Sequence, residues 1–275
     1  MAQQQNSVLP GVKHLIAVAS GKGGVGKSTT SVNLALALSL QGKKVGLLDA
    51  DIYGPSIPTM LGIAEGTRPE VSEGNRLIPI EAHGLQTISM GNLTTEDTPV
   101  VWRGPMASGA LVQILTETLW HDLDVLVVDL PPGTGDIQLT LAQKAPVAGA
   151  VVVTTPQDIA LKDAVKAVEM FSKVSIPLLG VVENMAVHVC SECGHSEHIF
   201  GQGGAKMMSE KYSVDVLGSM PLASSIREDL DDGIPTLVKS PDGDIAKKYK
   251  DMAAKVWERL ESTDVGQAGP EIIIE

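Results

Sequence analysis

The sequence predicts one α/β domain whose mostly parallel β-sheet is flanked by helices on both faces. Short β-branched runs alternate with amphipathic segments of helical length from His14 onward, which is the pattern of βα units around a parallel sheet. The runs are almost uniformly apolar, as expected for strands that are covered on both faces. No internal repeat divides the 275 residues, so a single domain is expected.

The first half of the chain predicts two buried strands, a helix between them and a small insertion. Residues 15–19 are a short apolar run, and a helix over residues 27–40 begins directly after a glycine-rich loop. Residues 44–49 form the second apolar run. Residues 65–92 are rich in glycine, proline and charge, which predicts a small β insertion. Its expected strands are residues 76–80 and 85–89.

The second half continues the alternation. A helix over residues 108–119 precedes a strand at 124–129, and a helix over 159–171 carries apolar residues at helical spacing. The last helix, 245–260, places five apolar side chains on one stripe: Ile245, Tyr249, Met252, Val256 and Leu260. The remaining predicted strands are residues 150–154, 178–183 and 215–220.

Charge and hydropathy exclude several classes of protein. The chain has 21 Lys and Arg against 33 Asp and Glu, a formal net charge of −12, which disfavours nucleic acid as a partner. Apolar runs stay well below the roughly 18 residues of a membrane span, and the first residues lack the pattern of a secretory signal. We therefore expect a cytoplasmic protein that binds no membrane. Residues 1–12 are expected to be flexible, 13–262 to form the domain and 263–275 to be a disordered tail.

The glycine-rich loop matches the phosphate-binding motif G-x-x-x-x-G-K-S and lies between a predicted strand and a predicted helix, as that motif requires. Its backbone N–H groups and the start of the helix would hold phosphates. Lys27 would reach the β- and γ-phosphates, and the Ser28 hydroxyl would bind Mg²⁺. The sequence thus predicts ATP and Mg²⁺ as cofactors. The predicted nucleotide-binding residues of this loop are Gly21, Gly23, Gly24, Val25, Gly26, Lys27, Ser28 and Thr29.

Three aspartates follow predicted strands, where ligands bind in open α/β sheets. Asp129 ends the run DVLVVD and is the candidate Walker B residue, which would hold Mg²⁺ through water. Asp49 and Asp51 end the second strand and can both face the γ-phosphate. Capping of a helix or a turn is the alternative role for this pair.

The loop also carries a second lysine, Lys22, in the pattern KGGVGKST. This pattern resembles the deviant Walker A (SIMIBI-type) ATPases, which include septum-site, plasmid-partition, arsenite-pump and nitrogenase iron-protein ATPases. The resemblance implies a nucleotide-sandwich homodimer in which Lys22 reaches the partner's ATP. It also implies that Asp51 positions the attacking water while Asp49 supports the magnesium shell. The expected catalytic residues are Lys22, Lys27, Asp51 and Asp129.

Asn184 ends the predicted strand at residues 178–183. It matches the position at which that family reads the adenine edge with a side-chain amide, and backbone around Pro221 and Leu222 would complete the pocket. A turn-forming role is the alternative for an asparagine at a strand end.

Cys190 and Cys193 are the chain's two cysteines, three residues apart in a polar loop. A [4Fe–4S] cluster usually takes four thiolates, which a symmetric dimer would supply. With DIYGPSIP, VWRGPM, DLPPGTGD and VVENM, this pair resembles the Mrp/ApbC group of iron–sulfur cluster carriers. The resemblance implies an ATP-hydrolysing homodimer that binds a labile [4Fe–4S] cluster between its subunits. Such a carrier would take clusters from an assembly scaffold and pass them to apo-proteins.

Two other functions remain open at this point. His195 and His198 follow the cysteines closely enough to offer a Cys₂His₂ set, so a structural Zn²⁺ is an alternative to the cluster. A ParA/MinD-like spatial or regulatory switch is the other. It usually needs a basic amphipathic end or a basic face, and the final GPEIIIE supplies neither.

Overall fold

The computed structural model describes residues 9–92 and 104–264, over which strands and helices alternate. The described strands are β1 (Val12–Ser20), β2 (Val45–Asp49), β3 (Ile80–Ala82), β4 (Leu85–Ser89), β5 (Leu123–Asp129), β6 (Val147–Thr154), β7 (Leu178–Glu183), β8 (His188–Val189), β9 (Ser196–Glu197) and β10 (Val216–Ser219). The described helices are α1 (Lys27–Leu40), α2 (Ile57–Met60), α3 (Gly104–Glu117), α4 (Asp136–Lys144), α5 (Asp158–Lys173), α6 (Gly204–Tyr212), α7 (Ser224–Asp231), α8 (Thr236–Lys239) and α9 (Asp244–Asp264), with a 3₁₀ turn at Met90–Asn92.

Eight of the described strands form one sheet in the order β10-β7-β6-β1-β5-β2-β4-β3. Neighbours are parallel except β3, which runs antiparallel to β4 at the edge. The register places Asp129 beside both Val18 of β1 and Asp49 of β2. Loops that follow these strands therefore meet at the carboxyl edge of the sheet, where α/β folds bind ligands.

A separate apolar cluster covers each face of the sheet. Alternate residues of β1 divide between them, with Leu15, Ala17 and Ala19 in one and Ile16 and Val18 in the other. Helices α3 to α6 contribute to the first cluster, whereas α1, α7, α8 and α9 contribute to the second. This arrangement confirms the predicted parallel sheet with helices on both faces. The stripe of the last helix is also confirmed, since Tyr249, Met252, Val256 and Leu260 are fully buried.

The predicted strand at residues 76–80 is wrong. The partner of β4 is β3, whereas Leu77 forms isolated bridges with Val71 and Thr118. Pro79 explains the difference, because a proline has no N–H to continue a ladder. The predicted helix at 108–119 begins earlier and ends at Glu117, since the next residue, Thr118, bridges to Leu77.

Some predictions fall on residues outside the described ranges. These are residues 1–8 of the expected flexible start, 265–275 of the expected tail and 101–103 of the VWRGPM motif. In the described part of the chain, Leu9 is already buried in the first apolar cluster. Of the helices described, none has the length and apolar character needed to cross a bilayer.

Candidate functional site

The glycine-rich loop connects β1 to α1 and bends sharply at two glycines. Gly24 and Gly26 both have φ of +80°, a conformation that side chains rarely adopt. At Gly26 the space is also closed, because a Cβ would lie 2.0 Å from Nδ2 of Asn184. Helix α1 begins at the next residue, so its N-terminal N–H groups face the same space.

A cavity of about 210 Å³ lies against this loop. The residues that line it come from the loop, the start of α1, the segment after β2 and the segment after β5: Ser20, Gly23, Gly24, Gly26, Lys27, Ser28, Thr29, Asp51, Ser56, Met60 and Pro132. Backbone donors, an ammonium and hydroxyl groups converge here. This is the chemistry of a phosphate site.

Asp129 is the centre of a buried hydrogen-bond network at the floor of this site. Its Oδ2 accepts from Lys27 Nζ at 2.7 Å and from the Ser28 hydroxyl at 2.6 Å, and its Oδ1 accepts from the Ser31 hydroxyl at 2.6 Å. Asp129 is fully buried and Lys27 is 6% exposed. The structure thus brings together the predicted phosphate lysine, the predicted magnesium hydroxyl and the predicted Walker B carboxylate.

Asp51 lies on the other side of Lys27, with 3.7 Å between Oδ2 and Nζ. Its Oδ1 is buried and has no hydrogen-bond partner in the described part of the chain. Burial raises the pKa of Asp51, the charge of Lys27 lowers it, and the charge of Asp129 raises it again. Asp51 lines the cavity and its side chain is 13% exposed, so its carboxylate can accept a hydrogen bond from a water molecule there.

Asp49 stands behind this wall and does not line the cavity. Its Oδ2 accepts from the Ser89 hydroxyl at 3.0 Å and from the backbone N–H groups of Ser56 and Ile57 at the start of α2. Burial, followed by the charge of Asp129, raises the pKa of Asp49 to about 7. The helix-capping alternative is therefore seen directly, and the carboxylate fixes the segment that carries Asp51.

Lys22 is half-buried and lies outside the lining of the cavity in its own chain. Its backbone carbonyl accepts from the Ser20 hydroxyl at 2.9 Å, which holds the turn of the loop. Gly21 precedes it and packs so tightly on α5 that a Cβ would lie 2.1 Å from the carbonyl of Asp163.

Asn184 and Pro221 end neighbouring strands, β7 and β10. The Asn184 amide is 5% exposed and donates to the carbonyl of Val25 in the glycine-rich loop at 2.8 Å. Pro221 follows Met220, whose N–H donates to the carbonyl of Glu183. Both predicted nucleobase residues therefore lie at the carboxyl edge of the sheet; Asn184 contacts the glycine-rich loop, and neither residue lines the cavity.

Cys190 and Cys193 lie on the turn of the short β8–β9 hairpin. The Cys190 N–H donates to the carbonyl of His195 at 2.9 Å, and the Gly194 N–H donates to the carbonyl of Cys190 at 2.9 Å. Cys190 is half-buried and Cys193 is exposed. The backbone N–H groups of Cys193 and Glu192, and then the Cys193 thiol, lower the pKa of Cys190 by hydrogen bonding. This turn therefore favours a thiolate, the form that binds metals.

The hairpin is tied to the sheet beside the nucleobase residues. His188 bridges to Leu222, and the Ala186 N–H donates to the carbonyl of Met220. Nδ1 of His198 lies 2.7 Å from the carbonyl oxygen of Ala186. Within residues 9–92 and 104–264, no group of three or more His, Cys, Asp or Glu is placed to hold one metal ion. The Cys₂His₂ alternative is thus not assembled within one chain.

Two serines of this site were not predicted from the sequence. Ser31 donates to Asp129 and Ser89 donates to Asp49, and both serines are buried. Ser31 had a usable signal, because it lies three residues after Ser28 and so on the same face of α1. No local sequence pattern indicates the role of Ser89, since it is 40 residues from Asp49 in the sequence.

Comparison with known proteins gives consistent matches. Residues 11–257 match the ParA family described as the NUBPL iron-transfer P-loop NTPase. An iron–sulfur cluster carrier protein of Pseudomonas fragi is 63% identical over 252 residues, which cover 92% of this chain and 88% of that protein. The iron–sulfur cluster transfer protein NUBPL of Dictyostelium discoideum is 50% identical over 253 residues, covering 92% and 78%. A nucleotide-binding protein of Archaeoglobus fulgidus, solved with ADP and found to contain cobalt, superposes with a TM-score of 0.74 at 37% identity, covering 86% and 92%.

Proposed function

The chain belongs to the NUBPL iron-transfer P-loop NTPase family, and on that premise we propose that it hydrolyses ATP and carries a labile [4Fe–4S] cluster to apo-proteins. The cluster is held between two copies of the chain. In this proposal the protein works in the cytoplasm and receives its cargo from a cluster-assembly scaffold.

The observation that carries the proposal is the cysteine turn. The whole chain has two cysteines, and both lie on one hairpin, with Cys193 exposed. A [4Fe–4S] cluster commonly takes four thiolates, so two hairpins from two chains are needed to complete its ligand set. A site at the tip of a hairpin is accessible to an acceptor protein, which suits a cargo that must leave.

The nucleotide site fits ATP and Mg²⁺ by its donors. The glycine-rich loop offers backbone N–H groups to phosphates, and Lys27 adds a positive charge. Ser28 and Asp129 are the residues that would hold Mg²⁺, which when bound would neutralise charge on the phosphates. Asp51 lines the cavity with a partly exposed side chain, which supports its role in orienting the attacking water.

Lys22 and Asn184 complete the proposed nucleotide site. Because Lys22 lies outside the cavity of its own chain, it is free to act on ATP held by a second chain. Asn184 and the backbone at Pro221 would contact the adenine. Hydrolysis would then depend on dimerisation.

The two alternatives find less support. The matched ParA family model is described as an iron-transfer NTPase and the Pseudomonas fragi relative is named a cluster carrier, so both descriptions favour cluster transfer over a spatial switch. A structural zinc held within one chain needs three or four ligands from that chain, and no such group is placed together among the described residues.

The test is anaerobic reconstitution with iron and sulfide, followed by mass measurement, iron analysis and visible absorption. We expect one cluster per dimer in the wild type and no bound cluster in Cys190→Ala/Cys193→Ala. Ser191→Ala lies on the same turn and is the matched control that should retain iron. A reconstituted monomer with a full iron content, or a double variant that keeps its iron, would overturn the proposal.

Transfer is tested with an apo-protein that requires a [4Fe–4S] cluster for activity. The loaded wild type should activate it, with a rate that changes on addition of Mg–ATP. Loaded Lys27→Ala should keep the cluster but lose the response to nucleotide. A stable cluster that never leaves the wild type would argue against a carrier.

A further inference from the structure

The two carboxylate oxygens of Asp129 have different surroundings. Oδ2 faces Lys27 and Ser28, which line the cavity. Oδ1 faces away from them and accepts the hydroxyl of Ser31 at 2.6 Å. Each oxygen therefore has its own donor from α1, and the orientation of the carboxylate is fixed at both ends.

Ser31 does not touch the cavity. It is fully buried and absent from the residues that line the site, whereas Ser28, three residues earlier on the same helical face, lines it. Ser31 can therefore affect nucleotide or metal only indirectly, through the groups that its hydroxyl contacts.

The Ser31 hydroxyl has one hydrogen and two acceptors within reach. These are the carbonyl of Lys27 at 3.1 Å and Oδ1 of Asp129 at 2.6 Å. A buried helical serine commonly donates to the carbonyl four residues earlier. Here the carboxylate is the closer acceptor, and a charge-assisted hydrogen bond is the stronger one.

We propose that Ser31 is a positioning residue for the magnesium site, which holds Asp129 so that Oδ2 stays directed at Ser28 and Lys27. This rests on the proposed ATPase function. Without the hydroxyl, Oδ1 is left buried without a donor, and the carboxylate turns to find one. The residues that bind Mg²⁺ are then present but misaligned, which lowers metal affinity by roughly 10- to 100-fold in comparable sites.

The experiment measures nucleotide binding with and without Mg²⁺, using a fluorescent ADP analogue, and then the Mg²⁺ dependence of hydrolysis. For Ser31→Ala we expect metal-free affinity near the wild-type value, and a Mg²⁺ concentration for half-maximal effect that is raised about tenfold or more. Cysteine is similar in size to serine but is a weak hydrogen-bond donor, so the Mg²⁺ concentration for half-maximal effect in Ser31→Cys should lie between those of the wild type and Ser31→Ala.

Thr118→Val is the matched control. It removes an equally buried hydroxyl, which donates to the carbonyl of Ile114 far from the site, and keeps the shape of the side chain. Its Mg²⁺ dependence should equal that of the wild type. An unchanged Mg²⁺ requirement in Ser31→Ala, or an equal shift in Thr118→Val, would overturn the role of Ser31. A wild type that binds nucleotide with no gain from Mg²⁺ would instead overturn the proposed ATPase site.

Discussion

The side-chain amide of Asn184 donates to the carbonyl oxygen of Val25 across 2.8 Å, so the end of β7 and the glycine-rich loop are joined by one buried hydrogen bond. Asn184→Ala leaves that carbonyl without this donor. We expect the free energy of unfolding to fall by about 1–3 kcal/mol. ATP binding should weaken, because the loop is less well held and the proposed contact with the adenine is lost. Urea unfolding and nucleotide titration measure the two effects.

Gln86→Ala serves as the control for Asn184→Ala. It removes an amide that makes two exposed hydrogen bonds with the backbone of His121, donating to its carbonyl at 3.0 Å and accepting from its N–H at 2.9 Å. Because these bonds are exposed to water, the unfolding free energy should fall less than in Asn184→Ala. Wild-type stability and ATP affinity in Asn184→Ala would show that the contact with Val25 is unimportant.

Gly24 and Gly26 form a matched pair, because both have φ of +80° but only Gly26 is closed in by a neighbour. Gly24→Ala should destabilise the nucleotide-free protein by roughly 1–2 kcal/mol, the cost of left-handed backbone alone. Gly26→Ala should cost more, since Asn184 must also move. Urea unfolding of both variants gives the comparison, and equal losses would contradict the close approach.

Stability should fall as pH rises, because burial raises the pKa of Asp49 from 3.8 to about 7. Between these values the folded chain holds a proton that the unfolded chain has released. The resulting stabilisation is present in full below the unfolded pKa of 3.8 and is lost above the folded pKa of about 7. Between these two pKa values the free energy of unfolding falls by up to about 1.4 kcal/mol per pH unit. The raised pKa of Asp51 acts in the same direction.

Urea unfolding between about pH 5 and pH 8 tests this dependence. Asp49→Asn should flatten the curve, whereas Asp244→Asn, at an exposed helix end, should leave it unchanged. Parallel curves for the wild type and Asp49→Asn would show that Asp49 does not carry the proton.

Lys22 acts in trans if ATP is shared across a dimer. Lys22→Ala and Asp51→Asn should each hydrolyse ATP poorly alone. A mixed dimer has one Lys22→Ala subunit and one Asp51→Asn subunit. ATP bound to the Lys22→Ala subunit then contacts that subunit's own Asp51 and the partner subunit's Lys22, so mixing should restore part of the activity. Mixing Lys22→Ala with Lys22→Ala/Asp51→Asn should restore none. If both mixtures stay inactive, Lys22 acts within its own chain.

Substitution of His195 and His198 distinguishes the proposed [4Fe–4S] cluster from a structural zinc site. Because His198 contacts the carbonyl of Ala186 and lies outside any described metal-binding group, His195→Ala/His198→Ala should retain the iron of the reconstituted dimer. Iron and zinc analysis of the variant, as isolated and after reconstitution, checks this. Loss of stoichiometric zinc on substitution would favour the structural site.

Local patterns predicted most of the sheet and the glycine-rich loop, because each depends on a contiguous run of residues. The short helices were harder. Helix α4 buries only Ile137, Gln138 and Leu141, so its sequence carries little apolar periodicity. The insertion was misread at residues 76–80, where the apolar pattern was right for a strand but Pro79 prevents the ladder.

The site could be predicted where one motif supplies it and not where distant segments meet. Lys27 and Ser28 follow from the loop motif alone. The hydrogen bond between Ser89 and Asp49, and the approach of His198 to Ala186, depend on how the chain folds back on itself. The choice between a Cys₂His₂ set and a cysteine pair was therefore open from sequence, since spacing does not fix where a side chain finds its partner.

The β8–β9 hairpin adds no side chain to either apolar cluster. In the part of the chain that the structure describes, both clusters draw on residues before 187 and after 204. Selection can therefore lengthen, shorten or replace the hairpin with little loss of fold stability. Changes at this single surface loop can then alter its cysteine turn while the sheet and the glycine-rich loop stay the same.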